Sequence, residues 1–209
     1  MNIESSFDYL LKIIIIGDSA VGKSNFMFRF VDNKFARIYQ TTVGFDSKSK
    51  ICTLPRLKKK VKLQLWDTAG QERYMSINKI FFQKVQGIIL MYDITNRDTF
   101  YNLPKWVKLI NETTYKVPVI LVGNKVDNEE ERIVREEEGD NFAKGNGYLF
   151  YESSALNGKN VDNVFYDLSE KIISTFDNSF ILNLSESDFL DMKDNNKKKK
   201  KDTREERCC

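Results

Sequence analysis

Histidine is absent from this chain of 209 residues, and cysteine occurs only three times, at positions 52, 208 and 209. Without histidine, the protein has no imidazole to act as a general base or to bind a metal ion. Three thiols, two of them adjacent, do not make a disulfide framework, which is typical of a protein from a reducing compartment. These absences exclude histidine-dependent catalysis and metal sites built on histidine.

Long apolar runs are absent as well, since none approaches the ~20 residues that a membrane-spanning helix needs. The formal net charge of +3 is small and does not indicate a nucleic-acid partner, so we expect none. Charge is unevenly distributed, however. Residues 193–209 contain eight Lys/Arg and four Asp/Glu, which gives +4 there and leaves −1 for the rest. A basic tail on a nearly neutral body is typical of a segment that binds an anionic surface.

The apolar residues that are present fall into short runs separated by stretches with helical spacing. The runs cover 10–16, 87–92, 117–122 and 148–151, and the predicted helices cover 24–32, 99–112 and 161–175. Alternating strands and helices predict a doubly wound α/β domain with its ligand at the carboxyl ends of the strands.

One pair of strands departs from this alternation. Residues 61–66 alternate in polarity, as a half-exposed strand does, and a basic loop joins them to a strand over 48–52. This pattern predicts an antiparallel hairpin, and so a mostly parallel sheet with one antiparallel edge strand. The strand and helix pattern ends after Thr175, which predicts one domain over residues 1–176 and a flexible tail over 177–209.

Residues 17–24 match the phosphate-binding pattern G-x-x-x-x-G-K-[ST] at every required position. In such a loop the glycines let backbone N–H groups approach phosphate oxygens, Lys23 reaches the outer phosphates and the Ser24 hydroxyl can bind Mg²⁺. The loop lies between an apolar strand and a predicted helix whose N-terminus faces the phosphates. The candidate residues are Gly17, Asp18, Ser19, Ala20, Val21, Gly22, Lys23, Ser24 and Asn25.

A phosphate loop alone leaves open whether the protein is a kinase, an ATPase or a GTPase. Asn124-Lys125-Val126-Asp127, directly after an apolar strand, favours guanine. Guanine presents an N1–H and an N2–H₂ that the Asp127 carboxylate can accept, whereas adenine lacks the exocyclic donor and its N1 is an acceptor. We further predict that Asn124 ties this segment to the phosphate loop and that the Lys125 stem covers a face of the base.

A third motif, Trp66-Asp67-Thr68-Ala69-Gly70-Gln71-Glu72, follows the hairpin strand. Asp67 ends that strand, where it can hold Mg²⁺ directly or through water. Gly70 is a backbone position at which an N–H can sense a terminal phosphate. Gln71 is placed to orient an attacking water, which is the role of glutamine in GTPases.

These residues together resemble the Ras superfamily of small GTPases, most closely its Rab branch, over most of residues 8–176. The resemblance implies a P-loop GTPase domain in which Thr42 completes the Mg²⁺ shell with Ser24 and Asp67. It also implies that Phe35 packs on the guanine and that the Ala155 N–H, between Ser154 and Leu156, contacts the base oxygen. Residues 37–45 and 70–79 would be switches that the γ-phosphate orders.

The sequence also departs from the family pattern. Ser47 stands where an effector-facing phenylalanine is usual, beside Trp66 and Phe82, which puts the usual effectors in doubt. Leu156 replaces the usual lysine of the base-contacting loop, and the loop at residues 55–60 is about two residues longer than in the family.

The terminal Cys208-Cys209 resembles the double-cysteine geranylgeranylation signal of Rab proteins. Two lipid chains anchor a protein stably, and Lys197–Lys201 adds attraction to an anionic leaflet. We therefore expect a monomer on the cytoplasmic face of an intracellular membrane, with a cytosolic pool. The resemblance implies as partners an exchange factor, an activating protein, effectors, a dissociation inhibitor and the prenyl-transferase machinery.

The leading hypothesis is a GTPase in which Gln71 positions water and Lys23, with Mg²⁺, neutralises developing charge. Two alternatives remain at the level of sequence: a nucleotide-gated binding module with little physiological hydrolysis, and an ATP-using P-loop kinase.

Overall fold

The computed structural model describes residues 7–36, 45–68, 82, 84–114 and 116–175. In this part of the chain, six strands alternate with five α-helices and a 3₁₀ helix. The strands are β1 (Tyr9–Gly17), β2 (Phe45–Thr53), β3 (Lys60–Thr68), β4 (Gly87–Asp93), β5 (Val119–Asn124) and β6 (Leu149–Ser153). The helices are α1 (Lys23–Asp32), α2 (Arg97–Tyr101), α3 (Leu103–Thr113), α4 (Glu136–Asn146) and α5 (Val161–Thr175), and the 3₁₀ helix covers Val126–Glu131.

The six strands form one sheet in the order β2-β3-β1-β4-β5-β6. All neighbouring strands are parallel except the edge pair, β2 and β3. This confirms the predicted doubly wound sheet with one antiparallel edge strand. The carboxyl ends of the parallel strands align, as the pair of Gly17 with Met91 and the pair of Asn124 with Ser153 show.

The core consists of two apolar layers, one on each face of the sheet. Successive β1 residues point to opposite faces, so Ile13 and Ile15 join the layer under α1 and α5 while Ile14 and Ile16 join the other. In the first layer the Phe30 and Phe165 rings stack with centroids 3.9 Å apart. Burial on both faces explains why β1 is apolar at nearly every position, with Lys12 as the one charged residue.

The prediction of a half-exposed β3 is wrong. Its polar Gln64 is buried, and Trp66 lies in the second core layer near Phe82. The reason is that both faces of β3 are covered, since Leu63 and Leu65 lie in the first core layer and Trp66 lies in the second, so the alternation of polar residues does not mark a solvent face. The ammonium of the buried Lys12 lies 5.0 Å from the centroid of the Trp66 ring, so cation–π attraction helps to offset the cost of burying that charge. Ser47, for its part, is paired with Trp66 in the antiparallel ladder.

The single helix predicted over 99–112 is also wrong, because two helices, α2 and α3, meet at Asn102. Pro104 has no backbone N–H and fits only the first turn of a helix, so a new helix begins there.

The sequence pattern did not indicate α4. Two glycines and few apolar residues weaken its signal, and Gly139 is required because an added Cβ would lie 2.3 Å from the Tyr92 hydroxyl.

Helix α5 has the predicted bounds, and the proposed tail lies outside the described residues. None of the helices that the structure describes is long and apolar enough to cross a membrane.

Candidate nucleotide site

The phosphate loop connects β1 to α1 at the carboxyl edge of the sheet. Gly17 has φ 134° and Gly22 has φ 99°, both in the left-handed region that favours glycine. A Cβ on Gly17 would lie 2.2 Å from the Met91 carbonyl oxygen, and one on Gly22 would lie 2.4 Å from Asn124 Nδ2. The two glycines are therefore required by close packing as well as by backbone angle.

The N-terminus of α1 faces the loop without a side-chain cap. Gly22 is the capping residue, no side-chain hydrogen bond closes this end, and the first turn contains no acidic residue. The first N–H groups of a helix have no partner within the helix and carry partial positive charge. An anionic ligand such as a phosphate fits this end.

Lys23 is 6% exposed and lies at the start of α1. Its ammonium donates to the Gly17 carbonyl at 3.0 Å and to the Asp18 carbonyl at 2.7 Å. Burial lowers the pKa of Lys23 to about 8, although the nearby carboxylates of Asp67 and Asp18 oppose the shift. A buried ammonium held by neutral carbonyls is expected to gain stabilisation from an anion.

Ser24 and Asp67 are brought together from α1 and β3. The Ser24 hydroxyl donates to Asp67 Oδ2 at 2.5 Å, and Asp67 is 1% exposed. A hydroxyl and a carboxylate are hard oxygen donors of the kind Mg²⁺ takes, usually one or two from protein together with phosphate oxygens. Among the described residues no three acidic or cysteine side chains form a metal cluster. The pair therefore fits a metal ion shared with a phosphate ligand.

Asn124 joins the two predicted halves of the site, as the sequence led us to expect. Its side-chain amide donates to the Val21 carbonyl of the phosphate loop at 2.8 Å. Its Oδ1 accepts from the Ser153 hydroxyl and from the Ala155 N–H, both at 3.3 Å. One buried side chain thus connects the phosphate loop, β5 and the segment after β6.

Asp127 and Lys125 follow Asn124 at the same edge of the sheet. The Ser154 hydroxyl donates to one oxygen of the exposed Asp127 carboxylate and so orients it. The Lys125 ammonium lies 2.6 Å from Asp93 Oδ2, which fixes the lysine stem beside the Asp127 loop.

Sequence reasoning did not single out Arg29. From α1, its Nε donates to the Ala155 carbonyl at 2.8 Å and its Nη2 to the Leu156 carbonyl at 2.7 Å, while Nη1 donates to Asn33 Oδ1 at 2.9 Å. Arg29 therefore fixes the segment predicted to contact the base. No local pattern could have indicated this, because the contacts join residues 126 and 127 positions apart.

Of the other predicted site residues, Asn25 is held by hydrogen bonds and Phe35 by apolar packing. The Asn25 side chain exchanges two hydrogen bonds with the Ala36 backbone, at 3.1 and 2.9 Å, and so fixes the segment that carries Phe35. Phe35 is half-buried against the first core layer, and Leu156 is 44% exposed. The remaining predicted site residues, which are Thr42, Gly70, Gln71, Cys208 and Cys209, lie outside the described residues.

Fold and site together define a P-loop nucleotide-binding protein. Residues 12–174 match the model of the Ras family. Ras-related protein SEC4 of Saccharomyces cerevisiae is 45% identical over 175 residues, which are 83% of this chain and 80% of the relative. Ras-related proteins Rab-3B and Rab-3A of Homo sapiens are each 44% identical, covering 84% and 81% of this chain and 80% and 76% of theirs. The chain belongs to the Ras family of small GTPases, in its Rab branch.

Proposed function

We propose that this protein is a membrane-anchored guanine-nucleotide switch that hydrolyses GTP slowly on its own and regulates vesicle trafficking. The observation that carries the proposal is the contact of Asn124 with both Val21 and Ala155, because it holds a phosphate loop and a base loop at one edge of the sheet. Its membership of the Rab branch supports the same activity.

Guanine recognition is proposed to rest on Asp127, whose carboxylate accepts the N1–H and N2–H₂ of the base. The Ala155 N–H makes only a long bond of 3.3 Å to Asn124 Oδ1 in the structure, and it would donate to the base oxygen when guanine binds. Phe35, the Lys125 stem and Leu156 would lie against the base or its sugar. The bound base would cover the Asp127 carboxylate, which then needs these donors, and a site of this kind rejects an analogue that lacks them by about 10⁴-fold in good cases. Adenine leaves Asp127 without the exocyclic donor.

Phosphate binding is proposed to rest on the loop from Gly17 to Ser24. Its N–H groups and the Lys23 ammonium bind the β- and γ-phosphate oxygens. Ser24, Thr42 and Asp67 would hold Mg²⁺, which would supply neutralisation of the phosphate charge. Gln71 orients the attacking water, and Lys23 stabilises the charge that develops on the transferred phosphoryl group.

Intrinsic turnover is expected to be slow. The loop between Gly17 and Lys23 contains no arginine, so the chain has no cationic finger there to stabilise the transition state. An activating protein that supplies one in trans accelerates such enzymes by ~10³–10⁵-fold. We propose effectors, an exchange factor and a dissociation inhibitor as further partners. Each would bind residues 37–45 or 70–79 in either the GDP-bound or the GTP-bound state.

Single-turnover hydrolysis of GTP by the full chain tests the activity. We expect hydrolysis that requires Mg²⁺ and is lost in Gln71→Leu, while the affinity of that variant for GTP stays within about threefold of wild type. Tight GTP binding with no Mg²⁺-dependent hydrolysis would instead favour a nucleotide-gated binding module. Preference for ATP would overturn the guanine assignment.

Membrane attachment is proposed to use Cys208 and Cys209 as lipidation sites, assisted by Lys197–Lys201 and connected by a tether over 177–196. The test is the location of a fluorescently tagged chain in cells, with both cysteines replaced by serine. Cys52→Ser is the matched control, because burial raises the pKa of the Cys52 thiol to about 11 and leaves it unreactive. Membrane attachment that survives loss of Cys208 and Cys209 would contradict the proposal.

A further inference from the structure

Asp18 places a carboxylate in the loop that is proposed to hold phosphates, although like charges repel. In the structure this carboxylate accepts hydrogen bonds from two side chains. Asp18 Oδ1 accepts a hydrogen bond from Trp106 Nε1 at 2.8 Å, and Oδ2 accepts one from Asn102 Nδ2 at 2.7 Å. Both donors belong to the α2–α3 region, 84 and 88 residues further along the chain.

Both donors are themselves fixed in position. Trp106 is 2% exposed in the second core layer, so its indole cannot turn away from Asp18 without disturbing that layer. Asn102 lies at the junction of α2 and α3, and its Oδ1 accepts from the Lys105 ammonium at 2.7 Å. That bond orients the amide so that its NH₂ group faces Asp18.

The main chain of Asp18 is held as well, because its carbonyl accepts from Lys23 Nζ at 2.7 Å. The residue is therefore fixed at two points: through its carboxylate by α3 and through its carbonyl by α1. Its neighbour Gly17 lies against Met91 of β4. Hydrogen bonds to a charged acceptor are among the stronger ones in proteins, so these contacts are expected to limit movement of the loop.

We propose that Asp18 is a positioning residue, which ties the phosphate loop to Trp106 and Asn102 and thereby sets how long a guanosine diphosphate stays bound. The proposal rests on the proposed function, in that the loop binds phosphates. It adds that α3, which carries none of the predicted nucleotide contacts, controls nucleotide release through this carboxylate.

The test measures GDP release from full-length protein carrying Trp106→Phe or Asn102→Ala. Each change removes one donor and leaves the Asp18 charge in place, so the loop loses a restraint and the freed carboxylate repels the diphosphate. We expect release to be about tenfold faster in Trp106→Phe and about threefold faster in Asn102→Ala. Asp18→Asn added to Trp106→Phe should release GDP no faster than Trp106→Phe alone, since that hydrogen bond is already lost.

Two matched controls separate positioning from general destabilisation. Leu109→Ala truncates another buried residue of α3 and should lower the melting temperature without changing GDP release. Lys108→Ala removes an exposed cation of α3 that is paired with Glu112 and not with Asn102 or Trp106, and should change release by less than twofold.

Affinity for GMP provides a readout that a purely structural role would not move selectively. We expect the donor variants to weaken GDP binding and to change GMP affinity by less than twofold, because the loop acts on the outer phosphate. Equal losses for GMP and GDP, or unchanged GDP release in both variants, would overturn the proposal. If the wild-type chain failed to bind GDP, the proposed function itself would be wrong, which is a distinguishable outcome.

Discussion

The two ends of the candidate site are built differently. At the base end, Asn124, Asp127 and Lys125 each have a protein partner, namely Val21, Ser154 and Asp93. At the phosphate end, the helix N-terminus is uncapped and a buried ammonium rests on two carbonyls. The base end is thus preorganised by contacts within the protein, whereas the phosphate end has strong donors whose best partner is an anion.

This difference indicates how affinity and specificity are divided. A preorganised array of hydrogen-bonding groups discriminates between bases, because it does not rearrange to accommodate a wrong one. Uncapped N–H groups and a buried ammonium gain most when a multiply charged phosphate binds. Changes at the base end should therefore alter which base is accepted or how well it is held, and changes at the phosphate end should alter how tightly any nucleoside diphosphate or triphosphate binds.

The largest expected effect is at Asp127. Asp127→Asn presents a donor where guanine has donors, so GDP affinity should fall by about 10⁴-fold relative to xanthosine diphosphate, whose base edge is reversed. Competition between the two nucleotides, measured by equilibrium titration, checks this. Glu129→Gln is the matched control, an exposed acid two positions away that is paired with Arg132, and should change the ratio by less than twofold. Unchanged GDP affinity in Asp127→Asn would contradict the guanine assignment.

The second-largest effect is expected at Gly22, where the phosphate loop contacts Asn124 of the base end. Gly22→Ala would place a Cβ 2.4 Å from Asn124 Nδ2 at a φ of 99°, so either the loop or the contact of Asn124 with Val21 must yield. We expect GDP affinity to fall on the order of 100-fold and unfolding free energy to fall by about 1–3 kcal/mol, measured by titration and by urea denaturation. Gly145→Ala is the control, because no heavy atom lies within 4 Å of its added Cβ. That variant should be as stable as wild type or slightly more so.

The loops of this site were predictable from sequence because each depends on short-range requirements. A glycine at φ above zero, a lysine one residue later and a hydroxyl after it are adjacent in the chain, so a motif records them. Arg29 and Ala155 are 126 positions apart in the chain, and Asp18 and Trp106 are 88 positions apart. A local sequence pattern cannot predict contacts over such separations. The same holds for Gly139 in the missed α4, because its close approach to Tyr92 joins residues that are distant in the chain.

The pH dependence of binding tests the phosphate end alone. The pKa of Lys23 is lowered to about 8 in the nucleotide-free protein, and a bound diphosphate stabilises the charged form and raises it again. Binding then takes up a proton above pH 8, so GDP affinity should fall as pH rises from 8, by up to about tenfold per unit. Titrations between pH 7 and 9.5 check this, and an affinity that is constant over this range would contradict it.

The same lowered pKa has the opposite effect on folding. Unfolding returns the pKa of Lys23 to its ordinary value of 10.5, so the unfolded chain binds more protons than the native one between about pH 8 and 10.5. The contribution of Lys23 to the stability of the nucleotide-free protein should therefore rise with pH across that window. Comparing urea midpoints of wild type and Lys23→Met isolates this contribution.

The smallest expected effect is at Arg29. Arg29→Lys keeps the charge but not the fork that reaches Ala155 and Leu156, so GDP affinity should fall by about three- to tenfold. Because the change is at the base end, the loss should be equal for GMP and GDP. Arg97→Lys, at an ion pair with Glu138, is the control and should leave affinity unchanged. A loss confined to GDP would contradict the division between the two ends.

Helix α1 carries Lys23 and Arg29 on one rigid segment of ten residues. Six residues of α-helix rise about 9 Å, so the helix sets the distance between the phosphate loop and the segment proposed to contact the base. Inserting one residue between them would turn Arg29 by about 100° around the axis and detach the base loop. The spacing of Lys23 and Arg29 along this helix is therefore set by the distance between the two ends of the site.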